Sequence, residues 1–297
     1  MSTLLFALPG NESMTAKLAA ELDAEMGTLD LRRFPDEELH LRFATPVAGK
    51  SAIFVCTLDR PDGKFLPLAF AAATARDLGA AEVGLVAPYL AYMRQDRHFE
   101  PGDAETAPIF ASCLSRTADW LVTVDPHLHR LKNLSLIYTI PARAQHAAAL
   151  ISKWIADNVA DAVLIGPDQE SAQWVSAVAK DAGKLFVVLT KTRRGDRDVS
   201  VTVPEVERWR NHTPVLVDDI ISTGRTMAET LGHLRREKMK PAICIGVHAV
   251  FAPSAYAELK RYEPARIVTT NTIGHETNVI DVAGLLADGI RALRRAK

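Results

Sequence analysis

Short apolar runs alternate with amphipathic stretches along most of the chain. The runs at 3–8 (TLLFAL), 51–56 (SAIFVC), 82–87, 120–124 (WLVTV), 162–166 (AVLIG), 185–190 (LFVVLT), 214–218 and 242–249 (AICIGVHA) have strand length and strand composition. Helical periodicity is clearest at 12–25, 64–78, 105–118, 143–157, 171–182, 226–238 and 281–295. Strands and helices that take turns in this way predict an α/β protein with mainly parallel sheets and helices on both faces. The elements form two successive sets, with Pro141-Ala142-Arg143 as the junction. Two domains are therefore expected, over 1–141 and 142–297.

The length agrees, since 297 residues suffice for two domains of ordinary size, each with its own core. With 48% apolar and 24% charged residues, the chain is globular rather than disordered. Lys plus Arg (35) nearly balances Asp plus Glu (36), which argues against a polyanion-binding surface and hence against a nucleic-acid partner. Cys56, Cys113 and Cys244 are far apart and lack metal-ligand spacing, so reduced thiols are expected. The N-terminal MSTLLFALPG has no basic n-region, and no run approaches the ~20 apolar residues of a membrane span. A cytoplasmic protein without membrane contact is the expectation.

The stretch VLVDDIISTGRTM, Val215 to Met227, asks for a chemical explanation. Pro214 is tolerable at a strand's start and Val215-Leu216-Val217 completes the strand, with Ile220 and Ile221 left outside it. Asp218 and Asp219 then fall at the carboxyl edge, where open α/β sheets bind ligands. Ser222, Thr223, Gly224, Arg225 and Thr226 open the next helix, and its N–H groups and hydroxyls form a nest suited to phosphate. Acids for a vicinal diol, beside a phosphate nest, describe a ribose 5-phosphate site.

The order VDDIISTGRT resembles the phosphoribosyl-diphosphate loop shared by phosphoribosyltransferases and ribose-phosphate diphosphokinases (PRPP synthetases). Five further segments favour the second family. RRFPDEELHLRF is similar to its ATP loop through Phe34, Asp36 and Glu38, with Glu37 where the family usually has Gly. PYLAYMRQDRHFEPGD matches its ATP-holding segment through Arg94, Gln95, Asp96 and Arg97, and its continuation is closer to the short archaeal-type members. TVDPHLHR places His127 where the family has a histidine near nucleotide-bound Mg²⁺. LIGPDQESAQW matches the pyrophosphate loop through Pro167 and the magnesium-site Asp168, with Glu170 in place of a glycine. LTKTRRGDRDV supplies Lys191 and Arg193, the Lys-x-Arg pair of a mobile catalytic loop.

The resemblance spans residues 33 to 226 and implies two phosphoribosyltransferase-like domains, of which the second carries the ribose loop. It implies an enzyme that transfers the β,γ-diphosphoryl group of ATP to O1 of ribose 5-phosphate, with Mg²⁺ as cofactor. A homo-oligomer is also implied, built on dimers and extending to tetramers or hexamers, because the family's ATP loop reaches a neighbouring subunit. Two other classes stay open: a phosphoribosyltransferase consuming PRPP, and a non-catalytic regulatory paralogue.

Overall fold

A computed structural model of the chain describes residues 2–128, 130–166, 172–188, 190–193, 199–202 and 206–295. It divides into two compact units. The first holds the chain up to His146, together with Thr272–Gly274 and the stretch from Val282; the second holds Ala147–Asn271 and His275–Asp281.

The first unit opens with β1 (Thr3–Ala7), α1 (Glu12–Leu22) and the two-residue β2 (Glu25–Met26). A hairpin of β3 (Leu29–Arg33) and β4 (Leu39–Phe43) follows, then β5 (Ser51–Val55) and α2 (Asp62–Asp77). β6 (Glu82–Ala87), α3 (Thr106–Thr117), β7 (Trp120–Val124) and β8 (Ala142–Gln145) complete it. The sheet runs β2-β1-β5-β6-β7-β8 with every neighbour parallel. β5, β6 and β7 are buried at every residue. Central parallel strands are covered on both faces, which is why they read as nearly continuous apolar runs.

The second unit contains α4 (Ala148–Asn158), β9 (Ala162–Gly166), α5 (Ala172–Ala182), β10 (Leu185–Val188), β11 (Thr190–Arg193) and β12 (Val199–Thr202). After the short α6 (Val206–Trp209) come β13 (Thr213–Ile220), α7 (Arg225–Arg236), β14 (Ile243–His248), α8 (Ala255–Arg261), β15 (Arg266–Thr270) and β16 (Asn278–Ile280). Its parallel sheet runs β10-β9-β13-β14-β15-β16. Relative to its own first strand, this is the order of the first unit. Each unit also inserts one antiparallel hairpin at the same point, β3–β4 in the first and β11–β12 in the second. The fold is thus one topology used twice, as the two-domain α/β expectation requires.

Three local expectations need correction. The helix expected over 143–157 starts only at Ala148, because Ala142–Gln145 pairs with Leu121–Val124 as the edge strand of the first sheet. That strand moves the division of the units from 141 to 146. The last helix, α9 (Ala283–Arg295), belongs with the first unit rather than the second. Arg294 donates to Thr3 Oγ1 at 2.9 Å and to Ser51 Oγ at 3.0 Å, while Gln145 Nε2 donates to Leu285 O at 2.9 Å.

Candidate active site

β13 runs on to Ile220, so Asp218 and Asp219 lie within its last turn of pairing rather than just beyond it. The cause is β14: Ile220 pairs with His248, and the N–H of Ile221 donates to His248 O at 3.0 Å. Ile221 is buried in the core of the second unit. It fits there because Gly246 has no side chain, and a Cβ at that position would lie 2.6 Å from Ile221. The two isoleucines are therefore the anchor that holds the acids at the sheet's carboxyl edge. Successive strand residues point to opposite faces, so the acids are not equivalent. Asp218 Oδ1 accepts the N–H of Asp219 at 3.0 Å, and both residues are half-buried.

The chain then turns through Ser222 and Thr223 into α7, whose N-cap is Gly224. Gly224 has φ +67°, in the left-handed region, and a Cβ there would press on Leu259 at 3.0 Å. Both facts require glycine. Ser222 O accepts the N–H of Ala252 at 3.0 Å, and Gly224 O accepts the first helical bond from Ala228 at 2.8 Å. Helix geometry leaves the N–H groups of the first turn, from Arg225 onward, without intrahelical acceptors. Thr223 and Arg225 are exposed, and Ser222 and Thr226 are half-buried. Asp218, Asp219 and residues 222–226 thus come together at the carboxyl end of one central strand.

Lys191 and Arg193 lie on β11, opposite Val201 and Val199 of β12. The expected loop is, over Thr190–Arg193, one arm of an antiparallel pair. Pro167, Asp168 and Glu170 lie outside the described residues, as does His129.

In the first unit, Arg94, Gln95 and Asp96 follow β6, and His127 follows the adjacent β7. Tyr92, in the left-handed region at φ 63°, turns the chain out of the buried Tyr89–Ala91 segment. Arg94 and Gln95 are exposed, and Gln95 Oε1 accepts from Thr106 Oγ1 at 2.5 Å at the start of α3. Asp96 differs: its side chain is 5% exposed and accepts Arg130 Nη1 at 3.0 Å. Asp125 and His127 also have left-handed backbones, at φ 34° and 54°. Asp125 Oδ1 lies 2.9 Å from His146 Nδ1, and this bond raises the His146 pKa. Phe34, Asp36, Glu37 and Glu38 form the tip of the β3–β4 hairpin. There Glu37 has φ 69°, a conformation that favours glycine.

Residues 3–117 match the N-terminal domain of ribose phosphate pyrophosphokinase, and residues 133–284 match the phosphoribosyl transferase domain. A ribose-phosphate pyrophosphokinase of Methanopyrus kandleri is 33% identical over 93% of this chain and 94% of its own length. The chain belongs to the ribose-phosphate pyrophosphokinase family. Another such relative, from Methanosarcina acetivorans, is 29% identical over 96% of this chain and 98% of its own. The crystal structure of phosphoribosylpyrophosphate synthetase from Mycobacterium smegmatis superposes with a TM-score of 0.86 over the whole of both chains, at 24% identity. That likeness is one of fold, and it covers both domains of a pyrophosphokinase.

Two residues of the first unit escaped the sequence reading. Arg130 holds Asp96 and His146 holds Asp125, across 34 and 21 residues of chain. No local spacing marks either pair. No helix among the described residues is long and apolar enough to cross a membrane.

Proposed function

We propose that the protein transfers the β,γ-diphosphoryl group of ATP to O1 of ribose 5-phosphate, giving PRPP and AMP. The observation that carries this reading is the strand-end acid pair followed by the Gly224 turn into α7. Thr223, Arg225 and the first-turn N–H groups of α7 would take the 5-phosphate, with Ser222 and Thr226 beside them. Asp218 and Asp219 would accept from the ribose hydroxyls and aim O1 at the β-phosphorus. The Pβ–O1 bond forms as the bond from Pβ to the α,β-bridging oxygen breaks. AMP leaves with that oxygen, and the hydroxyl proton passes to solvent. Such a step depends on alignment and charge neutralisation more than on a strong base.

Arg94 suits ATP because a guanidinium offers both a donor fork and a flat face. Gln95 has its carbonyl committed to Thr106, which leaves its amide N–H₂ to contact nucleotide. Phe34, Asp36, Glu37 and Glu38 would meet the adenine of ATP bound to a partner subunit, in a dimer-based homo-oligomer. Asp96, held by Arg130, would contact ATP beside Arg94 and Gln95 and fix the loop that carries them. Lys191 and Arg193 would meet charge on the transferring group.

Mg²⁺ keeps several waters and asks for few side chains, so a small protein donor set would suffice for it. The family resemblance would make His127, and Asp168 outside the described residues, its protein ligands, directly or through water. When bound it would neutralise phosphate charge and orient phosphate oxygens.

Incubation with ATP, ribose 5-phosphate and Mg²⁺ should release AMP and PRPP together. PRPP offered with a free base should give no turnover. The reverse pattern would make the protein a phosphoribosyltransferase, and silence in both would favour the regulatory paralogue.

A further inference from the structure

The turn from Ser222 to Gly224 rests on the segment that follows β14. Ala252 donates its N–H to Ser222 O at 3.0 Å. Leu259 of α8 lies so near Gly224 that a Cβ there would meet it at 3.0 Å. Phe251 packs against the buried cluster that contains Leu259, Ile221 and Met227, the last two flanking residues 222–226. The loop before α8 and α8 itself are thus the wall behind the phosphate nest.

Three rings fix that wall. Phe251, Tyr256 of α8 and His275 form a closed triangle, with centroids 5.4 Å apart for Phe251–Tyr256, 4.7 Å for Phe251–His275 and 4.9 Å for Tyr256–His275. The Tyr256–His275 pair is edge-to-face at 85° and the other two are tilted, arrangements that ring quadrupoles favour over a flat sandwich. α8 has seven residues, too few to persist without tertiary anchors. The rings supply one.

His275 is held in its turn by the sheet. Its N–H donates to Asn278 Oδ1 at 2.8 Å, and its Nδ1 accepts the N–H of Thr277 at 3.3 Å. The Thr277 hydroxyl lies 2.9 Å from the same Nδ1 and 2.8 Å from Thr269 Oγ1 on β15. A nitrogen that accepts a backbone N–H carries no proton, so the ring is neutral with its hydrogen on Nε2. Burial acts in the same direction and lowers the His275 pKa. One line of contacts therefore runs from β15 through Thr277, His275 and Phe251 to Ala252 and Ser222.

We propose that His275, together with Phe251 and Tyr256, is a positioning residue for ribose 5-phosphate: the ring cluster presses the loop before α8 against Ser222–Gly224 and so presets the nest for the 5-phosphate. The inference rests on the assignment of residues 222–226 to that phosphate. None of the three rings needs to touch the sugar. Removing one frees the wall, so the loop must be ordered at the moment of binding, and that cost falls on the sugar phosphate alone.

Ribose 5-phosphate titrated calorimetrically into the full-length protein, with α,β-methylene-ATP and Mg²⁺ present, tests this without turnover. His275→Ala and Tyr256→Ala should each weaken ribose 5-phosphate at least tenfold, while Tyr256→Phe, which keeps the ring, should stay within threefold of wild type. The affinity for α,β-methylene-ATP, titrated alone, should move by less than twofold in all three variants, with circular dichroism unchanged. Wild-type affinity for ribose 5-phosphate in His275→Ala would overturn the inference. So would a parallel loss of analogue affinity, a Tyr256→Phe as weak as Tyr256→Ala, or a wild type that does not bind ribose 5-phosphate. If the expected binding pattern is found but ATP and ribose 5-phosphate give no PRPP, the inference stands and the transfer reading fails.

Discussion

Arg33 Nη1 donates to the carbonyl oxygen of Glu37 at 2.7 Å and so closes the tip of the β3–β4 hairpin. The same tip is held by Phe34 N–H to Glu38 O and Glu37 N–H to Phe34 O, each at 2.9 Å. All three bonds use the backbone of Glu37 or its neighbours, and none uses the Glu37 side chain. Yet Glu37 sits at φ 69°, which costs a non-glycine residue about 1 kcal/mol. Glu37→Gly should therefore raise unfolding stability by roughly 0.5–1 kcal/mol, read by urea denaturation. A loss of stability would show that the glutamate side chain has a structural partner.

Asp218 and Asp219 should matter to the sugar phosphate and not to the nucleotide. Losing charge-assisted hydrogen bonds costs about 1.5–3 kcal/mol each, so the double change to Asn should raise the KM for ribose 5-phosphate by tenfold or more. The KM for ATP should move by less than threefold. Equal effects on both would remove the ribose assignment.

Lys191→Ala and Arg193→Ala should each lower kcat by roughly 10²–10³, with both KM values within a few-fold of wild type. The reason is that cations on a hairpin arm serve best where charge develops during transfer, and only such differential binding accelerates the step. Arg193→Lys should recover part of the loss, because the charge survives and the planar fork does not. Wild-type kcat in Lys191→Ala would end the catalytic assignment.

The thiols give a separate test of the core. Burial pushes Cys56 and Cys244 up to about 12, so neither ionises near neutrality. Cys113 is partly exposed. Ellman's reagent at pH 8 should titrate one thiol in the native protein and three after unfolding. A raised folded pKa also means that these groups stabilise fully below the ordinary thiol value of 9.0, and that this contribution is lost as pH climbs from there toward 12. Three fast-reacting native thiols would contradict the packing of both β5 and β14.

What the sequence made legible follows from where each residue sits. β5, β7 and β9 were visible because strands covered on both faces are apolar throughout. Ala142–Gln145 was hidden, since an edge strand with half-exposed side chains leaves no such run. Which sheet receives α9 depends on Arg294 reaching Thr3 and Ser51, contacts no local pattern encodes. At the site, the adjacent acids and the Gly224 turn stand in one short stretch and could be read directly. Ile221 does lie outside the strand, but Ile220 was misjudged as lying outside it, because the partner that extends it, His248, is far along the chain. Arg130 and His146 were missed for the same reason.

The central claim is that two phosphoryl groups move as one unit. With [γ-³²P]ATP, ribose 5-phosphate and Mg²⁺, the label should appear in the 1-diphosphate of PRPP, matched mole for mole by AMP, with no ADP formed. Formation of ADP with a singly phosphorylated O1, or ATP consumption without label on the sugar, would contradict the account.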